Sequence, residues 1–540
     1  MIRNNQSAIP VVDIFAGPGG LGEGFSAFTD PGVDRAFRIV LSIEMEEAAH
    51  QTLELRSFFR EFPCNGIPEE YYLHLQNRLS REELFAKYPK QAEAARRIAW
   101  RAELGGKGSN TDDVDARIRN AIGTSRDWVL CGGPPCQAYS VIGRSRNGGQ
   151  IDKADHRVYL YKEYLRILSE HRPPVFIMEN VKGLLSSKVG SDTIFKEMLD
   201  DLREPSAAFS ERRNSRTRYV LFPMVREQIE FPFVVPDFDP GDFVIKCEDF
   251  GIPQSRHRVI ILGLREDIAD QQVPALKPLG RQIPASDVLK SLPRLRSGLT
   301  HTPDGKPEWR EALNGILRKG WLEGIPNGKG EDIKRDIRWT LGRLHEPRAD
   351  RGGEFVACEA TTDYEEAWYC DPKMGGVCNH ASRPHMVQDL YRYLFAACYA
   401  RLFDRSPELR DFPPRLLPKH KNVKDKEKKE YFDDRFRVQL RDKPSTTVTC
   451  HLAKDGHYFI HFDETQCRSM TVREVARLQT FPDNYVFCGP RTKQYTQVGN
   501  AVPPLLARQI AAVVFQLLRQ SAGTDQNDAK ARSVGYARTG

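Results

Sequence analysis

The sequence predicts an α/β protein built on an open, mostly parallel sheet, with a second, smaller and irregular region set into it. Three observations carry this. From residue 9 to about 263, short apolar runs at 11–15, 39–43, 128–131, 175–178, 243–247 and 259–262 alternate with charged, helix-like segments. A glycine-rich loop follows the first run directly, in the strand-to-helix position where such loops serve ligands. After a stretch of weak periodicity, the α/β character returns at 445–462 and continues to about 520.

The elements follow in order. Run 11–15 leads through the glycine loop to a helix and then to run 39–43. Residues 60–110 read as a helical insertion, since 69–105 is polar and rich in Ala, Arg, Glu and Lys. From 266 to 438 Pro, Gly and Arg become frequent and one helical stretch stands out, at 385–403, so this part is taken as a second domain between 1–265 and 439–520. Thr471-Val472-Arg473-Glu474 fits a capping box at the start of a helix that ends before Pro482. A last helix follows Val502-Pro503-Pro504, and the polar tail 521–540 is expected to be disordered. Six lysines between Lys419 and Lys429, and the cluster Arg212, Arg213, Arg216 and Arg218, read as solvated loops or as phosphate contacts.

A chain of 540 residues exceeds one ordinary domain, and 40% hydrophobic with 28% charged residues is the balance of a soluble globular protein. The net charge of +7 permits a polyanionic partner without requiring one. No run is read as a membrane span, and residues 1–15 show no signal-peptide anatomy. Eleven irregularly spaced cysteines argue against a disulfide framework and for a reducing, intracellular (cytoplasmic) location. Cys358, Cys370, Cys378 and His380 lack zinc-site spacing, so no metal is expected.

Cys136 is the most informative residue. It sits in Gly132-Gly133-Pro134-Pro135-Cys136-Gln137, after an apolar run, where open α/β sheets gather ligands. Two prolines stiffen the loop, so the thiol reads as a nucleophile, with a small buried hydrophobe as the alternative. Gly17, Gly19 and Gly22 fit G-x-G-x-x-G, and Glu44 ends the next run, where a carboxylate can accept ribose hydroxyls. That pairing points to an adenosine-type cofactor without separating a nicotinamide from S-adenosylmethionine. Glu179 follows run 175–178, as a site carboxylate or a turn residue. Gln254, Arg256 and Arg258 alternate before run 259–262 and would share one face of an extended segment. Asn379-His380-Ala381-Ser382-Arg383-Pro384-His385 is polar enough to contact bases or phosphates, or forms a helix-start loop.

Taken together, Asp13-Ile14-Phe15-Ala16-Gly17-Pro18-Gly19-Gly20, Pro134-Pro135-Cys136-Gln137, Glu179-Asn180-Val181, Gln254-x-Arg256-x-Arg258, Arg441-Asp442-Lys443-Pro444-Ser445-Thr446-Thr447-Val448-Thr449 and Gln497-Val498-Gly499-Asn500-Ala501-Val502-Pro503-Pro504 resemble the DNA cytosine-5 methyltransferases, in family order. The resemblance implies a Rossmann-like domain with a mostly parallel seven-stranded sheet and a target-recognition domain at 266–438. It implies S-adenosylmethionine as cofactor and a flipped-out cytosine of double-stranded DNA as substrate. Cys136 would add to C6, Glu179 would meet N3, and Arg258 helped by Arg256 would hold O2. Asp13, Phe15, Ala16, Gly17, Pro18, Gly19, Gly20, Glu44, Asp113, Pro135, Leu160 and Asn500 would form the cofactor site. Gln137, Ser140, Arg144, Arg146 and Gln254 would face DNA, the middle three on a loop that closes over it. A monomer is expected, as a solitary enzyme or beside a restriction endonuclease for the same sequence. The rival readings are a tRNA cytosine methyltransferase, a non-catalytic DNA-binding relative and a nicotinamide oxidoreductase.

Overall fold

The computed structural model describes residues 8–31, 33–63, 65–105, 111–134, 160–186, 188–189, 192–209, 217–226, 238–269, 272–318, 320–418 and 434–536. Its centre is a twisted sheet of β1 (Ile9–Ile14), β2 (Phe37–Glu44), β3 (Ala99–Arg101), β4 (Val129–Gly132), β5 (Val175–Val181), β6 (Tyr219–Phe222), β7 (Val244–Lys246) and β8 (His257–Arg265). The spatial order is β3-β2-β1-β4-β5-β8-β6, with β7 also on β8. The first five strands run parallel, and β8 is antiparallel to β5. The free edge of β8 pairs with β7 at its start and with β6 at its end. Among the described residues the sheet therefore has eight strands in seven positions, where seven strands were expected. Pro223, directly after β6, has no N–H to extend that strand, so a second short strand completes the edge.

Both faces of the sheet are covered, which is why its strands read as continuous apolar runs. One face packs Val11, Ile39, Val129, Ile177 and Leu262 against Phe25 of helix α1 (Gly20–Ala27) and against Leu506, Ile510 and Val514. The other packs Val12, Leu41, Leu130, Phe176 and Ile261 against Tyr164, Leu168 and Phe195. Helix α2 (Glu47–Arg60) follows β2. The expected insertion at 60–110 is helical at Glu69–Leu75, Arg81–Lys87 and Pro89–Ile98, but it also holds the sheet's edge strand β3. That three-residue run is too short to register as a period.

The second region centres on helix α3 (Val387–Phe403), buried on nearly every side. Its apolar core joins residues 285–416 to 436–501, so the core does not divide at the expected boundary near 438. Nor does an α/β pattern return at 445–462. That stretch contributes the two-residue strand Ser445–Thr446, parallel to Gln254–Ser255, a short turn at Cys450–Ala453, and isolated bridges from Ile460 to Val438 and Ser469. Helix α4 (Val472–Leu478) starts at the capping box, with the Thr471 hydroxyl accepting from the Glu474 N–H and the Glu474 carboxylate from the Thr471 N–H. Helices α5 (Arg491–Asn500) and α6 (Pro504–Tyr536) follow.

One expectation for the C-terminal part is corrected. The helix α6 carries on to Tyr536, through the tail expected to be disordered, with no proline after Pro504 to break it. The helical span Arg491–Gln520 is also long and apolar enough to cross a membrane by length and composition. Its window is 78% buried within the protein, as a core helix is. Among the described residues no cluster of His, Cys, Asp and Glu could hold a metal ion. Cys378 instead donates to the Leu75 carbonyl, and the His380 ring nitrogens meet Thr471 and the Pro293 carbonyl.

Candidate active site

Strand β4 lies between β1 and β5, with Gly132 opposite both Ile14 and Met178. The chain leaving it must pass between the ends of two strands, and two glycines make room. A Cβ on Gly132 would come within 2.7 Å of the Ile14 carbonyl, and one on Gly133 within 2.7 Å of Glu179 Oε2. The Asn180 amide donates to the Pro134 carbonyl at 3.4 Å while its oxygen accepts from the Val181 N–H at 2.8 Å. The stem of the Pro-Pro-Cys loop is thus pinned to the strand that carries Glu179. Pro135, Cys136, Gln137, Ser140, Arg144 and Arg146 lie outside the described residues. Gly133 and Asn180 were quoted in the sequence motifs without a role; only the fold reveals what they touch.

Glu179 faces Arg258 from the neighbouring strand, with Arg258 Nε 2.9 Å from Glu179 Oε1 and both side chains 12% exposed. Burial raises the Glu179 carboxyl above its ordinary range, and the opposing pull of Arg258 and Arg256 does not cancel it. The site therefore holds a carboxyl that stays protonated to higher pH than a surface glutamate, beside a fixed cation. A cavity of about 470 Å³ opens next to the pair, bordered by Val181, Lys182, Ser255, His257, Arg258 and Thr447.

Arg256 and Gln254 do not share this cavity. Arg256 is fully buried, and its guanidinium donates to the carbonyls of Val448, Gly499 and Ala501 at 2.8, 3.0 and 2.8 Å. Every one of these partners is main chain, so Arg256 positions two distant segments rather than touching a substrate. Burial and the neighbouring Arg258 push its pKa down to about 9. Gln254, expected to face DNA, is also fully buried. Its amide donates to the Leu478 carbonyl and to Gln479 Oε1, and its oxygen accepts from the Val448 N–H. With its polar atoms spent inside, it is not a DNA contact.

On the other side of β4 lies the glycine loop. Phe15 leaves β1 at φ 54°, a left-handed conformation that costs a non-glycine residue about 1 kcal/mol. Gly17 follows at φ 57° with open space where a side chain would stand. Its N–H donates to Glu44 Oε2 at 2.8 Å, and the Glu46 N–H donates to Glu44 Oε1 at 2.7 Å. Burial holds Glu44 above the usual carboxylate range. An open glycine turn with a fixed carboxylate at the end of the adjacent strand fits an adenosine-bearing cofactor.

Phe15, Ala16 and Gly17 of this loop are half-buried; Pro18, Gly19 and Gly20 are buried. The Pro18 carbonyl accepts from the Tyr485 hydroxyl, a support with no sequence signal. Asp13, expected to touch the cofactor, is 1% exposed beneath the loop. The Gly22 amide and Arg60 favour its ionised form, but neither carboxylate oxygen gains a well-formed hydrogen bond, and burial pushes its pKa up to about 7. It shapes the loop from behind. Asp113 is exposed in the first turn of the helix Thr111–Ile122, just after a stretch outside the described residues. Leu160 starts the helix Leu160–His171 and lies beside Gly105.

The C-terminal segment closes the loop from above. A Cβ on Gly20 would overlap the Val502 carbonyl, at 2.1 Å. In α5, Gln497 accepts from the Thr52 hydroxyl of α2 at 2.7 Å, which leaves Asn500 exposed at the helix end.

A doubly wound sheet with a glycine loop at β1 and an acid–arginine pair at β5 and β8 defines a Rossmann-like methyltransferase. The model of the family "C-5 cytosine-specific DNA methylase" matches residues 101–205 and 242–516, and the chain belongs to that family. It is 32% identical to the type II methyltransferase M.Bpa9945I of Bacillus paralicheniformis, over 94% of this chain and 99% of that one. It is 26% identical to the DNA (cytosine-5-)-methyltransferase M.ApeKI of Aeropyrum pernix, over 72% of this chain and 81% of that one. Among solved structures, a candidate DNA modification methyltransferase encoded within an E. coli prophage superposes with a TM-score of 0.50 at 16% identity. That match covers 95% of this chain and all of the other, a likeness of fold.

Proposed function

We propose that this enzyme methylates C5 of a flipped-out cytosine in duplex DNA, with Cys136 as nucleophile and S-adenosylmethionine as methyl donor. One observation carries the reading: the stem of the Cys136 loop emerges between the glycine loop and the Glu179–Arg258 pair. S-adenosylmethionine, when bound, supplies a methyl group activated by its sulfonium. Phe15, Ala16, Gly17 and Glu44 would hold it.

The chain's own groups do the rest. The Cys136 thiolate adds to C6, which makes C5 nucleophilic. The Glu179 carboxyl, whose acid form is favoured by burial, donates to N3 as charge develops on the ring. Arg258 steadies Glu179 and offers its remaining donors to O2. After methylation the N3 proton returns to the Glu179 carboxylate, the C5 proton leaves to base, and elimination returns the thiolate. The names of two relatives call them type II methyltransferases, which supports reading this enzyme as the modification half of such a system.

The test offers labelled S-adenosylmethionine with unmethylated duplex DNA and bulk tRNA in parallel. Label at cytosine C5 of DNA is expected, lost in Cys136→Ala while cofactor binding persists. Turnover retained in Cys136→Ala removes the thiol from the mechanism, and label in tRNA alone replaces the substrate.

A further inference from the structure

Away from Glu179, on the second region, three arginines come together without a matching set of acids. Arg351 and Arg491 both donate to the Ser382 carbonyl, at 3.5 and 3.1 Å. Arg383, next in sequence, lies over the Tyr495 ring at 4.8 Å and donates to the Leu452 carbonyl at 3.0 Å. Like charges are not normally gathered this way unless something pays the repulsion, and the local acids do not. Asp304 is shared between Arg351 and Arg296, and Glu354 accepts from the Asn379 amide. The pKa of Arg491 is held down by burial and by the charges of Arg383 and Arg351, and the opposing pull of Tyr495 and Glu354 does not cancel this.

The same place has buried polar atoms with nothing to bind. Ser382 is 2% exposed and Arg383 8%. Among the described residues the Ser382 hydroxyl and the Nε atoms of Arg383 and Arg351 have no hydrogen-bond partner. A buried hydroxyl and two buried N–H groups left unmet are costly and call for an acceptor. Three guanidiniums close enough to act on one another, beside an unmet hydroxyl, suit an oxyanion. Arg351 is 35% exposed, so an anion can reach them from solvent.

The cluster is also tied to the catalytic side. Arg383 holds the turn Cys450–Ala453, which packs on α5, where a Cβ at Gly499 would come within 2.6 Å of the Cys450 nitrogen. Two residues before that turn, the Val448 carbonyl is held by Arg256. We propose that Arg351, Arg383, Arg491 and the Ser382 hydroxyl form a seat for one backbone phosphate of DNA, fixing the duplex on the second region while its cytosine enters the cavity beside Arg258. This rests on the reading of DNA as substrate. A phosphate contact here positions the duplex without reading its sequence.

The experiment measures binding of labelled duplex DNA by the full chain across a salt series, for wild type, Arg351→Gln, Arg491→Gln and Arg491→Lys. Each Gln variant is expected to bind about tenfold more weakly near 0.1 M salt, with a slope of log K against log salt shallower by about 1. Arg491→Lys should keep most of the slope, and cofactor affinity and melting temperature should stay at wild-type values. Replacing chloride by inorganic phosphate at equal ionic strength should weaken wild-type DNA binding and leave Arg491→Gln unaffected. Unchanged slopes in both Gln variants overturn the seat. So does a loss of DNA binding matched by equal losses of cofactor affinity and melting temperature, which marks a structural role. Phosphate that binds the cluster without competing with DNA makes it a site for free anions and also overturns the proposal. If wild type neither binds nor methylates duplex DNA, it is the substrate reading that fails.

Discussion

Glu179 is held by opposing effects: burial favours its neutral form, and two arginines favour its charged form. Burial prevails, so the acid form is retained above the ordinary glutamate pKa and is lost as pH rises through the raised value. Methyl transfer that depends on donation to N3 should therefore fall on the alkaline side of that pKa. Glu179→Gln should lower the single-turnover rate by about 10²–10⁴ and flatten that limb of the pH profile, with DNA affinity little changed. An intact limb in the variant would assign it to another group. At this scale the sequence was most legible for residues at strand ends, because a carboxylate or glycine there has few structural uses. It was least legible for Asp13, which is sealed beneath the loop while Phe15, Ala16 and Gly17 of the same motif stay partly open to solvent.

Among elements, the start of β8 shows what alternation can and cannot say. Gln254, Arg256 and Arg258 alternate, yet the first two are sealed by the strand Ser445–Thr446 and by the carbonyls of Val448, Gly499 and Ala501. Periodicity identifies which residues share a side; it does not reveal what covers that side from some 200 residues away. Arg256→Lys should strand two of three buried carbonyls and cost about 3 kcal/mol, read as a lower melting temperature. Its effect on turnover should be a higher KM for S-adenosylmethionine with kcat largely kept. A fall in kcat alone would put the guanidinium on the substrate. The strand β3 and the helical tail were missed for a related reason: three residues are too few for a pattern, and a polar stretch has no apolar period to read.

For the molecule as a whole, the first helix and the last are one packing unit. A Cβ on Gly24 would lie 2.4 Å from the Ala507 Cβ and 2.5 Å from the Pro504 carbonyl, so α1 and α6 touch backbone to backbone. Gly24→Ala should cost about 1–3 kcal/mol by overpacking and loosen the cover on the glycine loop. Calorimetry and cofactor titration would read both, and an unchanged melting temperature would mean that the helices have room to part. The sheet was legible from its runs because they are local. The shared core of 285–416 and 436–501 was not, since it depends on contacts that no window along the chain contains.

The Val502 carbonyl against Gly20 also places the two halves of the cofactor site far apart in time. A ribosome moving at ~5–20 residues per second completes the glycine loop on the order of half a minute or more before it makes the segment that covers it. During that interval β1 and α1 lack one wall, and the apolar face of Phe25 has no helix to meet. A nascent chain can present the loop but cannot yet close it, so competence to modify DNA waits for the segment around Val502.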